Sequence, residues 1–362
     1  MSTFKVAVVR VTVEPHPNAN ALELAHIGGY VSVVRKGEFK TGDLAVYIPE
    51  GAVVPTEILA RMGLEGKLAG PQKNRVKAMR LRGVLSQGLV GSFKALGIEA
   101  REGDNVAERL CITKYEPPIP VAMAGEVFNA GSQFALHFDV ENWRSHPDIL
   151  QPGEEVIFTE KLHGTCTIVA ILPHKDAPPE AFGEKRNILI MSKGLGAKGL
   201  AFKNNERNQS NLYVRATRAL VARIDEMQRD AADTVIVPHF ILGETFGPGV
   251  QDLTYGKEIG FRVFASAYGY RGDQHYLNWD FVDGSLKAQL NFETVPILYR
   301  GPFSEAVMRK YTDGKTTMCA DHIREGIVMV PAVERTDQRI GRVCLKSVSA
   351  EYLTRKGGTE YN

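Results

Sequence analysis

Six short polar motifs contain the residues of this sequence that could do chemistry. In the first, EKLHGT, Lys161 lies between two strand-like runs, and a lysine amine is a nucleophile when it is neutral. On its own this lysine would more often be a solvated surface charge, because such short matches recur by chance. The ordered series that follows changes that interpretation: SKG (192–194), GETFG (243–247), FRVF (261–264), EGIV (325–328) and LKS (345–347). Most of these motifs end or lie within an apolar strand-like run, which predicts that their polar residues meet at a common cleft.

The series resembles the motifs of the covalent nucleotidyltransferases, which comprise ATP-dependent DNA and RNA ligases and mRNA capping enzymes. EKLHGT resembles the RNA-ligase form of the first motif, because DNA ligases usually have Asp in place of His163. The segments PHPNANALEL (15–24) and KGEFKTGDLAVYIP (36–49) resemble the OB domain of the fifth RNA ligase family, in which this domain precedes the transferase. The resemblance covers nearly the whole chain.

This resemblance implies an ATP-dependent RNA ligase that seals breaks between a 3′-hydroxyl and a 5′-phosphate. Lys161 would take AMP from ATP, the AMP would pass to the 5′-phosphate, and the 3′-hydroxyl would then displace it. A phosphoramidate on lysine can both form and later leave. The amine must be neutral to attack, so its pKa must be lowered by burial and by cations such as Lys346 or a metal ion. The expected substrate is a nicked duplex with RNA on the 3′-hydroxyl side.

The same resemblance implies a role for each of the other polar residues in these motifs. Hard divalent cations prefer carboxylate oxygens, so Glu244 and Glu325 are the expected contacts for Mg²⁺ or Mn²⁺, and in the family they also bind the ribose. Lys193 matches a basic motif that holds phosphate oxygens, and Glu160 matches a residue that contacts the adenine edge. His163 corresponds to a histidine that serves strand joining more than lysine adenylylation; the alternative is a strand-end histidine with a backbone partner.

Adenine needs an apolar surface on each side. Phe264 or Phe261 would supply one side and Val328 the other. Strand alternation places the two phenylalanines on opposite faces, so one of them is a core residue and Phe264 is the favoured platform.

Two positions depart from the family pattern. Cys166 stands where a phage RNA ligase has Asn, and Cys344 takes the first place of a motif that often reads K-x-K and here keeps only Lys346. Arg342 is the basic residue considered as a replacement for the missing lysine.

The surrounding elements predict an α+β protein. Short strands and turns over residues 1–115 indicate an OB-type β-barrel that binds nucleic acid, and prolines at 117, 118 and 120 mark a linker. Residues 116–362 are predicted to form the nucleotidyltransferase domain, built on antiparallel sheets with flanking helices, including helices at 211–229 and 303–311.

A run of basic residues in the N-terminal domain is the candidate surface for nucleic-acid phosphates. If residues 73–91 form one strand, most of these charges share a face, although a solvated face of an antiparallel strand looks the same. The residues are Lys73, Arg75, Lys77, Arg80 and Arg82.

The overall composition limits which classes of protein this chain can belong to. The 44 Lys+Arg against 42 Asp+Glu give a net charge of +2, which does not argue against nucleic-acid binding, because clustering decides that property. The four cysteines form no C-x-x-C pair, which predicts a reducing intracellular compartment such as the cytoplasm. No apolar run approaches bilayer-spanning length, so no membrane partner is expected. The protein is expected to be a monomer. The alternatives are a DNA ligase, a capping guanylyltransferase and a non-catalytic OB-type RNA-binding protein.

Overall fold

The computed structural model describes residues 4–229, 235–318 and 320–359, so Cys319 lies outside the described residues. The N-terminal helices are α1 (Thr56–Met62) and α2 (Phe93–Leu96). The N-terminal strands are β1 (Ala7–Arg10), β2 (Thr12–Pro15), β3 (Leu22–Ile27), β4 (Tyr30–Arg35), β5 (Leu44–Ile48), β6 (Ala52–Val53), β7 (Met79–Leu81), β8 (Val84–Ser86), β9 (Leu89–Gly91) and β10 (Thr113–Lys114).

Two antiparallel three-stranded sheets, β1–β5–β9 and β2–β3–β4, form the N-terminal barrel. Strand β5 has the bounds that the sequence predicts and is buried on both faces. Val46 and Ile48 pack into one core cluster, and Ala45 and Tyr47 pack into the other. The arrangement agrees with the predicted small barrel. It uses more and shorter strands than expected, because Val11 divides the first predicted strand into β1 and β2.

The basic segment 73–91 is not one strand, which corrects the sequence-based expectation. Strands β7 and β8 form an antiparallel hairpin, and β9 belongs to a different sheet. Arg82 and Gly83 form the hairpin turn with φ of 48° and 89°, the positive values that a tight two-residue turn requires. The five basic side chains therefore do not share one strand face.

The downstream half contains helices α3 (Lys193–Gly196), α4 (Leu212–Arg229), α5 (Trp279–Phe281), α6 (Lys287–Leu290), α7 (Glu305–Thr312) and α8 (Ala350–Leu353). Its strands are β11 (Val127–Asn129), β12 (Glu141–Asn142), β13 (Glu155–Lys161), β14 (Thr165–Ile171), β15 (Ile188–Ser192), β16 (Leu200–Phe202), β17 (His239–Phe246), β18 (Gly260–Tyr268), β19 (His275–Tyr276), β20 (Ile297–Pro302), β21 (Gly326–Pro331), β22 (Thr336–Asp337), β23 (Gly341–Arg342) and β24 (Leu345–Val348).

Two five-stranded sheets organise this half. The first has the order β12–β24–β21–β13–β20 and the second has the order β15–β14–β17–β18–β19. All pairs are antiparallel except β12 with β24. The consecutive strands β13 and β14 belong to different sheets, so residues 162–164 cross from one sheet to the other. The predicted α+β class with antiparallel sheets is confirmed.

The two predicted helices are present with small shifts of their ends. Asn211 caps α4, because its side-chain oxygen accepts hydrogen bonds from the backbone N–H groups of Tyr213 and Val214 at 2.9 and 3.4 Å. The apolar face of α4, including Leu220 and Ile224, packs against the second sheet. Ser304 caps α7 in the same way. These caps fix where each helix begins and hold it beside its sheet.

The N-terminal barrel contacts the downstream half through a seam formed by Gly29, Tyr30, Arg144 and Ser145. The Gly29 N–H donates to the Arg144 carbonyl at 3.2 Å, and the Arg144 guanidinium donates to the Gly29 carbonyl at 2.8 Å. The Tyr30 and Ser145 hydroxyls are 2.9 Å apart. Residues 115–120, which include the predicted linker prolines, contain no helix or strand. Across the described ranges, no helix is long and apolar enough to cross a membrane.

Candidate active site

The predicted site residues lie together where the two large sheets meet, since Lys161 of the first sheet interacts with Glu244 of the second. Lys161 is the last residue of β13 and pairs with Gly326 of β21, while Lys346 of β24 pairs with Val328. On the other sheet, Glu244 of β17 pairs with Cys166 of β14. Motifs that are up to 185 positions apart in the sequence are therefore joined by strand pairing.

Gly164 permits the crossing between the sheets. A Cβ at this position would lie 2.2 Å from the Thr245 carbonyl oxygen and 3.0 Å from the Glu244 side chain. No other residue type fits so close to neighbouring backbone. The glycine of the first motif is thus explained by packing at the edge of the cleft.

The Lys161 amine lies 2.8 Å from Glu325 Oε1, and the two side chains are 25% and 10% exposed. Burial is the largest influence on this amine and lowers its pKa. The charges of Glu325 and Glu244 together outweigh burial and leave the pKa above its ordinary value. The expected lowering is therefore not found, because two carboxylates oppose it.

Lys346 behaves in the opposite way. Burial, and then the neighbouring charge of Lys161, lower the pKa of Lys346 to about 8. The two lysines thus interact as like charges, but the pKa that is lowered is that of Lys346 and not that of Lys161.

The two predicted metal-binding glutamates interact electrostatically. Burial raises the pKa of Glu244 to about 7, with Glu325 adding to the rise and Lys161 opposing it. Burial acts on Glu325 in the same direction, but Lys161 and His163 more than offset it and hold its pKa at about 2. Glu325 Oε2 is buried without a hydrogen-bond donor among the described residues, and the nearest His163 nitrogen is 3.7 Å away.

These carboxylates fit a hard divalent cation. Both residues offer oxygen ligands, and Glu325 Oε2 is an anionic oxygen that accepts no hydrogen bond from the described residues. Within the described ranges, no group of three or more His, Cys, Asp or Glu residues could hold a metal ion. A cation held here would therefore complete its coordination with water or with phosphate oxygens of a ligand.

His163 is buried in the crossing segment, and both of its ring nitrogens have partners. Nε2 lies 2.8 Å from Asp252 Oδ1 and 3.2 Å from the Arg355 guanidinium, and Nδ1 lies 2.8 Å from the Tyr352 hydroxyl. Its backbone N–H donates to the Tyr255 hydroxyl at 2.7 Å. The contacts of the His163 ring are therefore with side chains, and not with a backbone partner as in the alternative interpretation.

Glu160 is 1% exposed, and its carboxylate accepts hydrogen bonds from the loop at 316–317. The Thr317 N–H and hydroxyl donate to Oε2 at 2.8 and 2.6 Å, and the Thr316 hydroxyl donates to Oε1. The structure thus assigns this carboxylate to holding a loop against β13. Its predicted contact with adenine stays a prediction.

Lys193 begins α3 at the end of β15. Its amine is 3.1 Å from Asp139 Oδ1 and 4.7 Å from the centre of the Phe138 ring. Its charge also acts on Glu244 and on Lys346, so it lies on the same side of the molecule as the other motif residues. Its predicted contact with phosphate oxygens is compatible with this position.

The apolar residues separate as strand alternation predicts. Phe264 and Val328 pack against the same buried cluster, whereas Phe261 packs into the cluster below α4 and lies against Gly243. Residue 264 falls at the register shift between β17 and β18, where a bulge occurs. Of these two phenylalanines, Phe264 is therefore the one placed to form an apolar pair with Val328.

The two cysteines that depart from the family pattern lie near the cleft. Burial raises the pKa of the Cys166 thiol, with Glu244 adding to the effect. Cys344 is 4% exposed in an apolar cluster. Arg342 forms an ion pair with Glu334, and its guanidinium lies 4.0 Å from the centre of the Tyr276 ring. Its charge is thus balanced locally, which argues against its replacing the missing lysine.

The predicted nucleic-acid-binding residues lie in a loop and in the β7–β8 hairpin. Lys73, Arg80 and Arg82 are exposed, and Lys77 is half-buried. The Arg75 guanidinium is 3.6 Å from the centre of the Tyr115 ring. Only part of the basic run is therefore presented to solvent.

Sequence reasoning missed the residues that surround His163, namely Asp252, Tyr255, Tyr352 and Arg355. They lie in irregular segments or next to the C-terminus, outside any apolar strand-like run. Asp139, the partner of Lys193, was missed for the same reason. The sequence carries no periodic signal that connects these positions to the first motif.

A half built on two five-stranded sheets with a lysine at their junction, preceded by a β-barrel, defines the class of a nucleotidyltransferase with an N-terminal barrel domain. The family model described as RNA ligase matches residues 154–348, and an OB-fold domain model matches residues 5–92. The chain belongs to the RNA ligase family. The resemblance seen in the motifs and the predicted OB-type barrel are both confirmed.

Solved structures of an RNA ligase from Naegleria gruberi match over nearly the full length. The structure with PPi shares 24% identity, has a TM-score of 0.75 and covers 97% of this chain and 98% of that chain. A variant with AMP and Mn shares 23% identity at a TM-score of 0.76, covering 97% and 98%. A variant with ATP and Mn shares 23% at 0.74, covering 96% and 98%. At these identities, the structural matches show a shared fold. No curated protein sequence matches the chain significantly.

Proposed function

We propose that this protein is an ATP-dependent RNA ligase that works through AMP linked to Lys161. The observation that carries the proposal is the Lys161 amine at the junction of two sheets, 2.8 Å from Glu325 and within the electrostatic reach of Glu244 and Lys346. The Naegleria gruberi ligase has been solved with ATP and Mn, with AMP and Mn, and with PPi, which supports the use of these ligands here.

In the first step, the Lys161 nitrogen forms a bond to the α-phosphorus of ATP, the bond to the β-phosphate oxygen breaks, and pyrophosphate leaves while the amine loses a proton. In the second step, a 5′-phosphate oxygen displaces the lysine, giving a 5′–5′ pyrophosphate-linked AMP. In the third step, a 3′-hydroxyl oxygen attacks that 5′-phosphorus, loses its proton and releases AMP. Each step exchanges one bond to phosphorus for another.

The chain contributes charge to this sequence. Lys346, with its pKa near 8, and Lys193 would offset charge that develops on the phosphate oxygens. Glu244 and Glu325 would hold Mg²⁺ or Mn²⁺, which supplies Lewis-acid stabilisation of those oxygens when bound. Neutralising these two carboxylates also removes the influence that keeps Lys161 protonated.

Phe264 and Val328 would enclose adenine, because they pack against the same cluster near this cleft. Phe261 would remain a core residue beneath α4. In the proposed nucleotide site, the base therefore lies between Phe264 of the second sheet and Val328 of the first, and the phosphates lie near the three lysines.

The proposed substrate is a nicked duplex with RNA at the 3′-hydroxyl end. This preference rests on the family resemblance and on His163, which replaces the aspartate usual in DNA ligases. The OB module would hold the duplex beside the nick.

Incubation with α-labelled ATP and Mg²⁺ or Mn²⁺, followed by denaturing electrophoresis, tests the covalent step. The wild-type chain and the exposed-lysine control Lys198→Ala should carry label, and Lys161→Ala should carry none. Absence of label on the wild type would favour a binding protein without catalysis. Labelling by GTP instead of ATP would favour a capping enzyme.

Substrate preference is tested with nicks that differ only at the 3′-hydroxyl nucleotide. A ribonucleotide there should be sealed at least about 10-fold faster than a deoxyribonucleotide, because the 2′-hydroxyl is the only difference. Equal rates on the two nicks would support the DNA-ligase alternative.

A further inference from the structure

The C-terminal segment 349–359 contacts the crossing segment that carries His163. Ser349 begins this segment, and its N–H donates to the Glu325 carbonyl at 2.9 Å. The Tyr352 hydroxyl lies 2.8 Å from His163 Nδ1, and their rings meet edge to face with centres 5.1 Å apart. Segment 349–359 is thus joined to the EKLHGT motif through side chains and to the EGIV motif through main chain.

Asp252 and Arg355 connect this segment to the other side of the histidine. The Arg355 guanidinium donates to both carboxylate oxygens of Asp252, at 2.8 and 2.9 Å, and Asp252 Oδ1 is 2.8 Å from His163 Nε2. The Thr359 N–H donates to Asp252 Oδ1 at 2.8 Å. Burial raises the pKa of Asp252, but these hydrogen bonds more than offset burial and hold the pKa well below its ordinary value.

We propose that Asp252, Tyr352 and Arg355 are positioning residues that fix the His163 ring for strand joining, and that segment 349–359 is part of the active site. A two-pronged Arg–carboxylate contact fixes orientation as well as charge. With a partner on each ring nitrogen, His163 cannot rotate without breaking contacts on both sides. Arg355 also lies 3.7 Å from the centre of the Tyr352 ring, so the two residues support each other.

The inference rests on the proposed function and assigns these residues to one step of it. Lysine adenylylation needs Lys161, the glutamates and the phosphate-binding lysines, none of which hydrogen-bonds to Arg355 within the described ranges. Loss of Arg355 should therefore spare the capture of AMP and slow the sealing of a strand that already carries AMP.

The test is a double-mutant cycle of wild type, His163→Ala, Arg355→Ala and the double variant. Two rates are measured: labelling of the protein by ATP, and sealing of a pre-adenylylated nick without ATP. Each single variant should lower sealing at least about 10-fold and labelling less than about 3-fold. Sealing by the double variant should match His163→Ala within about 2-fold, because residues that act as one unit are not additive.

Multiplication of the two single effects, or an equal loss of labelling and sealing, would overturn the positioning role. Lys175→Ala is the control, since this exposed lysine lies outside segment 349–359 and should change neither rate. If Arg355→Ala lowers the melting temperature by more than about 5 °C, Asp252→Asn takes its place in the cycle, because it keeps the side-chain volume. A wild type that neither labels nor seals would overturn both this inference and the proposed function, whereas an active wild type with a multiplicative cycle overturns the inference alone.

Discussion

At the scale of single residues, burial by itself does not set the charge state of the two lysines in the cleft. Lys161 and Lys346 are both subject to desolvation, yet the pKa of Lys161 is raised and that of Lys346 is lowered to about 8. The difference arises because Glu325, at 2.8 Å, and Glu244 raise the pKa of Lys161, whereas the charge of Lys161 adds to burial in lowering that of Lys346. A ligand or cation that takes over this carboxylate would shift Lys161 toward the neutral form that attacks phosphorus.

Cys344 provides a residue-scale prediction. Cys344→Lys restores the K-x-K pattern, but it places a cation in an apolar cluster near Lys346, Lys193 and Arg342. We expect it to lower the free energy of unfolding by about 2 kcal/mol or more, because a buried charge without a partner is costly. Chemical denaturation measures the change.

Cys344→Val is the matched control, since it keeps a small apolar side chain and should cost less than about 1.5 kcal/mol. Equal stability of the lysine variant and the wild type, together with faster labelling by ATP, would show that the position can serve as a second phosphate-binding lysine.

At the scale of secondary-structure elements, the β7–β8 hairpin and the loop before it expose the five basic side chains to solvent to different extents. The positive φ values at Arg82 and Gly83 create the tight turn that interrupts the expected strand. Lys73, Arg80 and Arg82 are left exposed, whereas Arg75 is held over the Tyr115 ring. An RNA backbone would therefore meet three of the five charges.

The salt dependence of RNA binding tests this division. Changing Lys73, Arg80 and Arg82 together to alanine should reduce the slope of log K against log salt concentration by about 2, because each phosphate contact contributes roughly 0.7 to 0.9. Filter binding or fluorescence anisotropy over a salt series gives the slope. Changing the exposed Lys175, Lys198 and Lys257 in the transferase half is the control, and an equal reduction there would argue against a specific role for the hairpin.

At the scale of the whole molecule, the seam sets how the barrel sits on the transferase half. Gly29 is required there by close approach, because a Cβ would lie 2.7 Å from the Arg144 carbonyl oxygen and 2.8 Å from its Cα. Both atoms are backbone and cannot move aside cheaply. The glycine thus allows two reciprocal hydrogen bonds between the halves.

Gly29→Ala should separate AMP capture from nick sealing. Labelling by ATP should stay within about 3-fold of wild type, because the lysine and both glutamates lie in the transferase half. The rate of sealing of a nicked duplex should fall at least about 10-fold, because the barrel would no longer be held in a fixed position relative to the active site. Gly284→Ala, where a Cβ meets nothing within 4 Å, is the control. Loss of labelling equal to the loss of sealing would show that the seam supports the whole fold.

The sequence by itself determined the class of protein, the order of its motifs and most of its regular elements. Apolar alternation predicted strands such as Leu44–Ile48, and helical spacing predicted α4, because these signals are local and repeat along the chain. The lysine of the first motif and the two glutamates could be singled out because their motifs follow in the order that resembles the covalent nucleotidyltransferases.

Only the tertiary structure decided how these residues act on one another. The ion pair of Lys161 with Glu325, the hold of Glu160 on the 316–317 loop and the network around His163 join positions more than 85 residues apart in the sequence. Side chains from irregular segments, such as Asp252 and Arg355, leave no periodic trace. Their partners and charge states depend on packing between distant segments, which a linear pattern does not contain.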